Sequence, residues 1–474
     1  MRPWLKPALR RIWRDRRTVQ FGVGPAHAVL IHPRSPGESA LLDLLDGTRE
    51  LPELVERAAG LGLEEADVRR VLSDLERARV LDDADRQQAV LEGVPELSPA
   101  ALRRLGPELS ALSLARPEPG GGAVALAARR EAWVRVHGAG RVGAAVAAQL
   151  AAAGVGRVEV VDGGRVSPTD PLPGGLRPAD IGRLRAGAAA EAVRRASPTE
   201  EAERRERRGA GGAAAPAAAA GRRTDGCCSS EARSEATCEA RSERTARHAD
   251  GRFAGGPGAG CPAARRQGTD GAGHRLDGSA AGGAAASAAA GPAAREGAAE
   301  RRDGGGPTLV VVAPRGPAGA WAPDPELSAR LVADGTPHLF AGVVETVGTI
   351  GPMVLPGASP CGRCLALHRA AVDPDWPRVL AQLCSAKTGG ADAPCAAALA
   401  AGVAALAALH ALILLDGGYP PSVGGILELS MLDGEMRRRP LSAHPDCGCG
   451  WTVDAPPAPE FHRPHGGVRT GERV

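Results

Sequence analysis

The stretch WVRVHGAGRVGAAVAAQLAAAGVGRVEVVD, residues 133–162, decides the fold of this chain. Its first five residues predict a β-strand, and a glycine-rich turn follows them. An alanine-rich run then predicts a helix over 144–153, and a second strand over 157–161 ends at Asp162. Strand, turn, helix and strand in this order predict a βαβ unit, and therefore an α/β, Rossmann-like fold with a mainly parallel sheet.

The glycine turn is a candidate nucleotide site. Glycines let backbone N–H groups approach a phosphate at a helix N-terminus, and an acid about twenty residues further on binds a ribose. The candidate residues are Gly138, Gly140, Gly143 and Asp162. The alternative is a βαβ unit that keeps its glycines for helix-to-strand packing and binds no nucleotide.

Composition narrows the class of protein. A chain of 474 residues is long enough for two or three domains. Its net charge of +3 and aromatic content of 2% argue against a nucleic-acid-binding surface. No apolar run of signal-peptide length follows the basic residues 1–17, so we expect a cytoplasmic protein. In a reducing compartment its ten cysteines are metal ligands, reactive thiols or bystanders.

One stretch, residues 394–415, is apolar and long enough to span a membrane. Alanine dominates it, and Asp392 and Asp416 flank it where lysines and arginines would be expected. We therefore expect a buried helix and no membrane contact.

Four cysteines form two pairs, Cys361 with Cys364 and Cys447 with Cys449. Four thiolates suffice for a closed, tetrahedral zinc site, and a metal that closes a long loop stabilises the fold. The quartet is therefore predicted to bind structural Zn²⁺. Redox-active or unligated cysteines are the alternatives, and the nearby His368 and His444 could substitute as ligands.

Residues 1–95 are predicted to form a small winged-helix-like domain. Two strands precede three helices, at 18–23, 27–32, 39–45, 51–59 and 65–78. This run resembles the PqqD-like peptide-recognition domains, which share the Asp46-Gly47-Thr48 turn and a last helix that ends near a Leu-Asp-Asp. The alternative is a helical packing module with no ligand of its own.

Two segments separate or interrupt the domains. Residues 96–131 are expected to be a helical arm or linker, with a helix over 99–114 that breaks at Gly106-Pro107 and a flexible run over 116–122. Residues 199–306 hold only two large apolar residues, so they are expected to be disordered. They are either a low-complexity insertion or a segment translated out of frame. The Rossmann domain comprises 132–198 and 307–452, and 453–474 is a flexible tail.

The order of motifs resembles the ThiF/MoeB/HesA superfamily of ubiquitin-activating-enzyme-like adenylyltransferases. After the βαβ unit come Asp180-Ile181-Gly182, the first cysteine pair, the long apolar helix, Gly417-Gly418-Tyr419-Pro420 and the second cysteine pair. The resemblance covers about 130–451, apart from the low-complexity segment. It implies a protein that uses ATP and Mg²⁺ to adenylate the C-terminus of a sulfur-carrier protein, a ubiquitin-like protein or a peptide, and that forms a homodimer.

The positions that the resemblance assigns to catalysis are substituted. A second aspartate is replaced by Gly164, an arginine is missing from 170–173, a lysine is replaced by Arg185, and a magnesium-binding aspartate is missing near 313–315. Arg185 keeps the charge of the lysine but not its compact ammonium. The electrostatic stabilisation that adenylyl transfer requires is therefore mostly absent.

Two catalytic candidates remain, Arg185 and Cys384. Some members of the superfamily use a thiol before the long helix to accept the activated carboxylate, and Lys387 would lower the pKa of Cys384. The alternative is that Cys384 is a bystander.

A PqqD-like unit joined to a degenerate ThiF-like domain is similar to the partner proteins of azoline-forming (TOMM) peptide pathways. The resemblance implies that the chain binds the leader of a precursor peptide and presents it to a YcaO-type cyclodehydratase, which itself uses ATP. The alternatives are an active adenylyltransferase in which Arg185 replaces the lysine, and a pseudogene product with a damaged central frame.

Overall fold

The protein is described by a computed structural model that covers residues 1–15, 17–94, 97–198, 306–316, 321–384 and 394–449. Residues 199–305 of the segment 199–306, for which we predicted disorder, lie outside these residues, as does the predicted tail 453–474. The choice between an insertion and an out-of-frame segment is therefore untested.

The described part of the N-terminal unit contains two small sheets and four helices, of which the first three correspond to the three predicted for a winged-helix-like fold. Its elements are β1 (Pro3–Leu5), β2 (Arg11–Trp13), β3 (Val19–Phe21), β4 (Val29–Ile31), α1 (Pro36–Leu44), α2 (Leu51–Ala59), α3 (Glu65–Arg77), β5 (Leu81–Asp83) and α4 (Ala84–Glu92). β1 pairs with β5, and β2, β3 and β4 form an antiparallel sheet in that order. The hydroxyl of Ser35 accepts the Glu38 N–H and so begins α1, as an N-cap does.

The arm between the two domains is helical, and it is packed rather than flexible. It consists of α5 (Pro99–Arg104), α6 (Gly106–Ala115) and α7 (Gly121–Glu131). The predicted break at Gly106 is present, but the flexible run expected over 116–122 is wrong, because α7 already begins at Gly121. The buried Lys6 ammonium donates to the carbonyls of Ser113 and Pro117 at 2.7 Å each, which holds this connection against β1.

The second domain is built on a seven-stranded sheet. Its strands are β6 (Trp133–His137), β7 (Arg157–Val161), β8 (Leu309–Val312), β9 (His338–Val344), β10 (Val347–Val354), β11 (Gly425–Ser430) and β12 (Met436–Pro440), in the order β12-β11-β10-β9-β8-β6-β7. β7, β6, β8 and β9 are parallel, whereas β10, β11 and β12 continue the sheet antiparallel. The predicted parallel sheet is therefore the half that carries the glycine turn.

The described part of this domain contains six helices. They are α8 (Arg141–Ala152), α9 (Arg185–Ala196), α10 (Pro325–Ala333), α11 (Gly362–Val372), α12 (Trp376–Cys384) and α13 (Ala397–Leu415). α13 is long and apolar enough to cross a membrane by length and composition, with a mean hydropathy of 2.3. It packs against α8, β9 and β10 in the largest apolar core, and half of its apolar window is buried there. This packing accounts for its apolar composition.

Candidate functional site

The glycine turn lies between β6 and α8, at the carboxyl end of the parallel strands. Gly138 has a φ of 99°, which a residue with a side chain rarely adopts. The Asp162 carboxylate, at the end of β7, accepts the N–H groups of Ala139 and Gly164 at 2.8 Å each. Asp162, the predicted ribose-binding residue, is therefore held next to the glycine turn by hydrogen bonds from backbone N–H groups to its carboxylate.

The three glycines of the motif are also required for packing. A Cβ atom on Gly138 would overlap the carbonyl of Ala313, and one on Gly143 would overlap the carbonyl of Gly138. A Cβ atom on Gly140 would lie 2.7 Å from Cγ of Arg315, whose stem crosses the turn. The glycines alone therefore do not establish that a nucleotide binds here.

Two arginines and two aspartates form a chain of ion pairs beside this turn, which we call the arginine–aspartate chain. Arg185 Nε lies 2.9 Å from Asp162 Oδ1, and its Nη1 lies 3.8 Å from Asp170 Oδ2. Arg315 Nε lies 3.0 Å from the other oxygen of Asp170. The side chains of Asp162 and Asp170 are only 8% and 2% exposed. Both buried carboxylates are thus neutralised by guanidinium groups.

The substitution at Gly164 is linked to the one at Arg185. A Cβ atom on Gly164 would overlap the Arg185 guanidinium, so the aspartate that the resemblance places there could not coexist with this side-chain position. The Arg185 Nη1 also donates to the carbonyl of Arg165 at 2.9 Å. The absence of a side chain at Gly164 therefore leaves room for the guanidinium that neutralises Asp162.

Asp170 and Arg315 were not predicted as site residues. In the sequence, each of them is only a residue that differs from the family pattern. The fold brings the two side chains together. The sequence did contain a signal for this ion pair, because an acidic residue stands at 170 and a basic residue at 315. Two substitutions of opposite charge in one predicted site can indicate a new ion pair.

The rim of the site carries a further guanidinium. Arg141, the first residue of α8, donates through Nε to the carbonyl of Thr169 at 2.6 Å, and it also donates to the carbonyl of Cys395. In the segment expected to supply the missing arginine, Pro171, Leu172 and Pro173 line an open groove of about 590 Å³. The rim is therefore cationic at α8 and largely apolar beyond it.

Cys384 ends α12 and is exposed. Partial burial of its thiol and the nearby Asp324 carboxylate raise its pKa, which is opposite to what a thiolate nucleophile requires. Lys387, which we expected to lower this pKa, lies outside the described residues. The geometry gives no support for a catalytic Cys384.

The four cysteines of the quartet converge, with their Sγ atoms all within 4.8 Å of one another. The Sγ of Cys361 lies 4.0 Å from that of Cys364 and 3.5 Å from that of Cys447, and the Sγ atoms of Cys364 and Cys449 are 3.3 Å apart. A tetrahedral zinc ion with Zn–S bonds of about 2.3 Å requires S–S edges of about 3.8 Å. The donor set fits a zinc ion.

The surroundings of the quartet suit a bound cation. Cys361 is the N-cap of α11, and the His444 N–H donates to the Sγ of Cys364 at 3.4 Å. Burial raises the pKa of Cys447 to about 11, and a cation among the thiols would reverse this shift. His368 and His444 are not part of the quartet. Their rings stack edge-on at 4.8 Å, and the His368 Nε2 lies 3.0 Å from the carbonyl of Ser442.

Comparison with known proteins agrees with this fold. Residues 122–217 match the sequence profile of the ThiF family. The chain therefore carries a ThiF-family domain, and the resemblance to this superfamily is confirmed. Among curated proteins, none matches the sequence significantly.

Solved structures with the same fold include MccB of E. coli and PaaA. MccB with AMPCPP and MccA has 12% identity and a TM-score of 0.53, and the alignment covers 95% of this chain and 99% of MccB. MccB with ATP has 11% identity, a TM-score of 0.52 and the same coverage. PaaA has 13% identity and a TM-score of 0.53, with 92% of this chain and 99% of PaaA covered. Similarity at this level of identity establishes the fold alone.

Proposed function

We propose that this protein binds the leader of a ribosomal precursor peptide and presents it to a YcaO-type cyclodehydratase without adenylating the peptide. The observation that carries this proposal is the arginine–aspartate chain. By the resemblance to active ThiF-family enzymes, this chain of ion pairs involves the positions expected to hold a metal-bound triphosphate. The N-terminal winged-helix-like unit is the peptide-recognition part in this proposal.

The ion pairs leave no described carboxylate at this site ready to bind magnesium. Mg²⁺ prefers carboxylate and phosphate oxygens in octahedral geometry. Asp162 and Asp170 are already bound by Arg185 and Arg315. A metal would have to compete with these guanidinium groups for the same carboxylate oxygens. The site therefore disfavours Mg²⁺ and, with it, adenylyl transfer.

The comparisons support a peptide as the partner. MccB, which shares the fold, has been solved in complex with MccA. The three-stranded sheet of the N-terminal unit has open edges among the described residues, and an extended peptide can add to such an edge through backbone hydrogen bonds. The YcaO-type partner, the homodimer and the cytoplasmic location remain predictions, as does a structural role for Zn²⁺.

Two measurements on the purified full chain test this function. We expect precursor peptides encoded beside this gene to bind at micromolar concentration in calorimetry, and ATP–pyrophosphate exchange to stay at background with and without them. A ThiF-family enzyme of known activity serves as the positive control for exchange. Leader-dependent exchange would overturn the non-adenylating role, and absence of binding for every such leader would overturn presentation.

An active adenylyltransferase is the second candidate. It is favoured by the cationic surface at the start of α8, where Arg141 and Arg315 lie beside a helix N-terminus that suits phosphate. In this case Arg185 takes the role of the lysine. Exchange that an added sulfur-carrier protein stimulates, and that R185A abolishes, would establish this activity.

A further inference from the structure

Arg315 lies across the glycine turn at the place where a diphosphate would approach it. In a turn of this type the second glycine allows the backbone to come close to a pyrophosphate. Gly140 is the second glycine, and a Cβ atom on it would lie 2.7 Å from Cγ and 3.5 Å from Cδ of Arg315. A Cα–Cβ bond is only about 1.5 Å long, so this Cγ is in van der Waals contact with Gly140 itself. The aliphatic part of Arg315 therefore covers the second glycine.

The backbone that carries Arg315 is held against the same turn. The Ala313 N–H donates to the carbonyl of His137 at 2.7 Å. A Cβ atom on Gly138 would overlap the Ala313 carbonyl and would lie 2.8 Å from Cα of Pro314, so the two segments are in direct contact. Proline fixes its own φ and restricts the residue before it. The first carbons of Arg315 therefore stay over the turn unless this backbone moves.

The charged end of the Arg315 side chain is fixed as well. Its Nε lies 3.0 Å from Oδ1 of the buried Asp170, and its Nη2 lies 3.3 Å from Oγ of Ser167 and 3.5 Å from Oγ1 of Thr169. The segment that carries these acceptors is itself held in place. The Ser167 N–H donates to the Asp170 Oδ2 at 2.7 Å, and Arg141 Nε donates to the Thr169 carbonyl at 2.6 Å. The side chain is therefore held at both of its ends.

We propose that the glycine turn is a closed binding site for a nucleoside diphosphate, and that the aliphatic part of Arg315 closes it by occupying the space of the phosphates. The other parts that such a ligand needs are present, namely the N-terminus of α8 for the phosphates and Asp162 for the ribose. This inference rests on the proposed function and deepens it, because the phosphates are excluded before any metal is required. One side chain, and not the loss of the turn, determines what this site accepts.

The obstruction is steric and not electrostatic. A guanidinium group attracts phosphate and often binds it through two hydrogen bonds. Here the guanidinium of Arg315 faces Asp170, and the part of the side chain that covers Gly140 is uncharged. The substitution R315Q removes the charge and keeps Cβ, Cγ and Cδ, whereas R315A keeps only Cβ. These two substitutions therefore separate the effect of the aliphatic part from the effect of the charge.

The test compares the full-length variants R315A/D170N and R315Q/D170N with the parent protein. D170N is present in both variants because a buried Asp170 without Arg315 would repel phosphate. Isothermal titration calorimetry measures the binding of ADP and of adenosine, in EDTA so that no metal contributes. We expect R315A/D170N to bind ADP at least tenfold more tightly than R315Q/D170N and the parent, equivalent to about 1.4 kcal/mol. Adenosine has no phosphates and should bind all three proteins equally.

Three results would overturn the proposal. Binding of ADP by the parent as tightly as by R315A/D170N would show that Arg315 leaves room for the phosphates. An equal gain in both double variants would show that the ion pair, and not the aliphatic part, excludes ADP. No gain in an R315A/D170N protein that still unfolds cooperatively would show that the glycines serve packing alone. If R315A/D170N does not fold, R315A is compared with R315Q, since Arg185 Nη1 still lies 3.8 Å from Asp170 in both.

Failure of this inference can be distinguished from failure of the proposed function. If a leader binds, exchange stays at background and R315A/D170N gains no affinity for ADP, the inference fails and the proposed function stands. If R315A/D170N gains affinity for ADP and no leader binds the parent, the proposed function fails and the closure by Arg315 stands.

Discussion

The central residue-level feature is the pairing of Arg185 with Asp162, which depends on the absence of a side chain at Gly164. We expect G164A to push the flexible end of Arg185 away from Asp162 and to lower the free energy of unfolding by about 1 kcal/mol, because Asp162 loses this ion pair but keeps its two backbone N–H donors. The neighbouring Gly163 has open space around it, so the control G163A should change stability by less than about 0.5 kcal/mol. Urea unfolding measures both variants.

A double-mutant cycle adds a stricter criterion. If G164A acts through the guanidinium, it should cost much less in an R185A background than in the parent. An equal loss in both backgrounds would mean that the backbone at Gly164, and not Arg185, accounts for the effect.

Two buried histidines predict a pH dependence of stability. Burial lowers the pKa of His338 and of His410 to about 4, below the ordinary value of 6.5. In the unfolded chain these histidines bind protons below about pH 6.5, whereas in the folded chain they stay neutral until about pH 4. Their contribution is therefore complete above pH 6.5 and is lost as the pH falls toward 4, by up to about 3 kcal/mol for each.

The variant H410Q isolates the contribution of His410 to this pH dependence, because glutamine does not titrate and can still form a hydrogen bond with Ser422. In the parent protein the Ser422 Oγ lies 2.8 Å from the His410 Nδ1. We expect the free energy of unfolding of H410Q to fall less between pH 7.5 and pH 5 than that of the parent. The exposed H27Q is the control and should follow the parent. Subtraction of the parent curve removes the contribution of the cysteine thiolates, which is common to all three proteins. Parallel curves for H410Q and the parent would contradict the prediction.

At the scale of elements, the cysteine quartet joins the start of α11 to the segment after β12. We expect one zinc ion per chain by elemental analysis, and we expect C447S to lose it together with a large part of the thermal stability. C395S is the matched control, because Cys395 is half-buried and outside the quartet, and it should keep both the metal and the melting temperature. A parent protein that holds no zinc, or a C447S variant that keeps it, would refute the site.

The apolar helix α13 provides a second test at this scale. Val403 is fully buried and Leu409 is 52% exposed. If α13 is a core helix, V403K should lower the free energy of unfolding by more than about 3 kcal/mol, and L409K should change it by less than about 0.5 kcal/mol. A membrane span would reject a lysine at both positions. Recovery of the parent protein in the membrane fraction would contradict the core assignment.

A helix or strand could be predicted where its own sequence pattern indicates it, and was missed where packing against distant residues determines it. β6 and β7 are valine-rich and flank the glycine turn, and α13 is a continuous apolar run, so the positions of these three elements were predicted to within a few residues. The edge strand β12 reads Met-Arg-Arg-Arg-Pro and is exposed throughout, so no periodicity revealed it. α7 was missed because it begins with two glycines, which favour a turn in isolation and are buried here by packing.

The candidate sites differ in the same way. The cysteine quartet is specified by residue type and spacing, and its convergence could be predicted. The pairing of Asp170 with Arg315 was not predicted, because Arg315 comes from a distant part of the chain and its side chain reaches Asp170 only after β8 has taken its place in the sheet. A comparison of single positions with a family pattern shows which expected residues are missing. It does not show which new interactions the residues at those positions form.

At the scale of the whole molecule, Arg129 connects the helical arm to the sheet domain. It is 6% exposed, and its guanidinium binds both oxygens of Asp416 at 2.7 and 2.8 Å and Glu108 at 2.9 Å. Asp416 follows the last residue of α13. Removal of one partner from a buried ion pair is strongly destabilising, so R129M should cost about 3–5 kcal/mol.

The matched control is R378M, which removes an arginine whose side chain is 85% exposed and whose ion pair with Asp375 is long, at 3.6 Å. It should change the free energy of unfolding by less than about 1 kcal/mol. We also expect R129M to become sensitive to proteases at residues 116–120, because the arm loses its attachment. Equal stability of the two variants would mean that the arm is held by apolar packing alone.

The closeness of Gly164 to the Arg185 guanidinium couples the two positions in sequence variation. A side chain at position 164 would require the guanidinium to move, while exchanging Arg185 alone would leave Asp162 buried without a cation. The residue tolerated at either position therefore depends on the residue at the other, and the two should vary together among related chains.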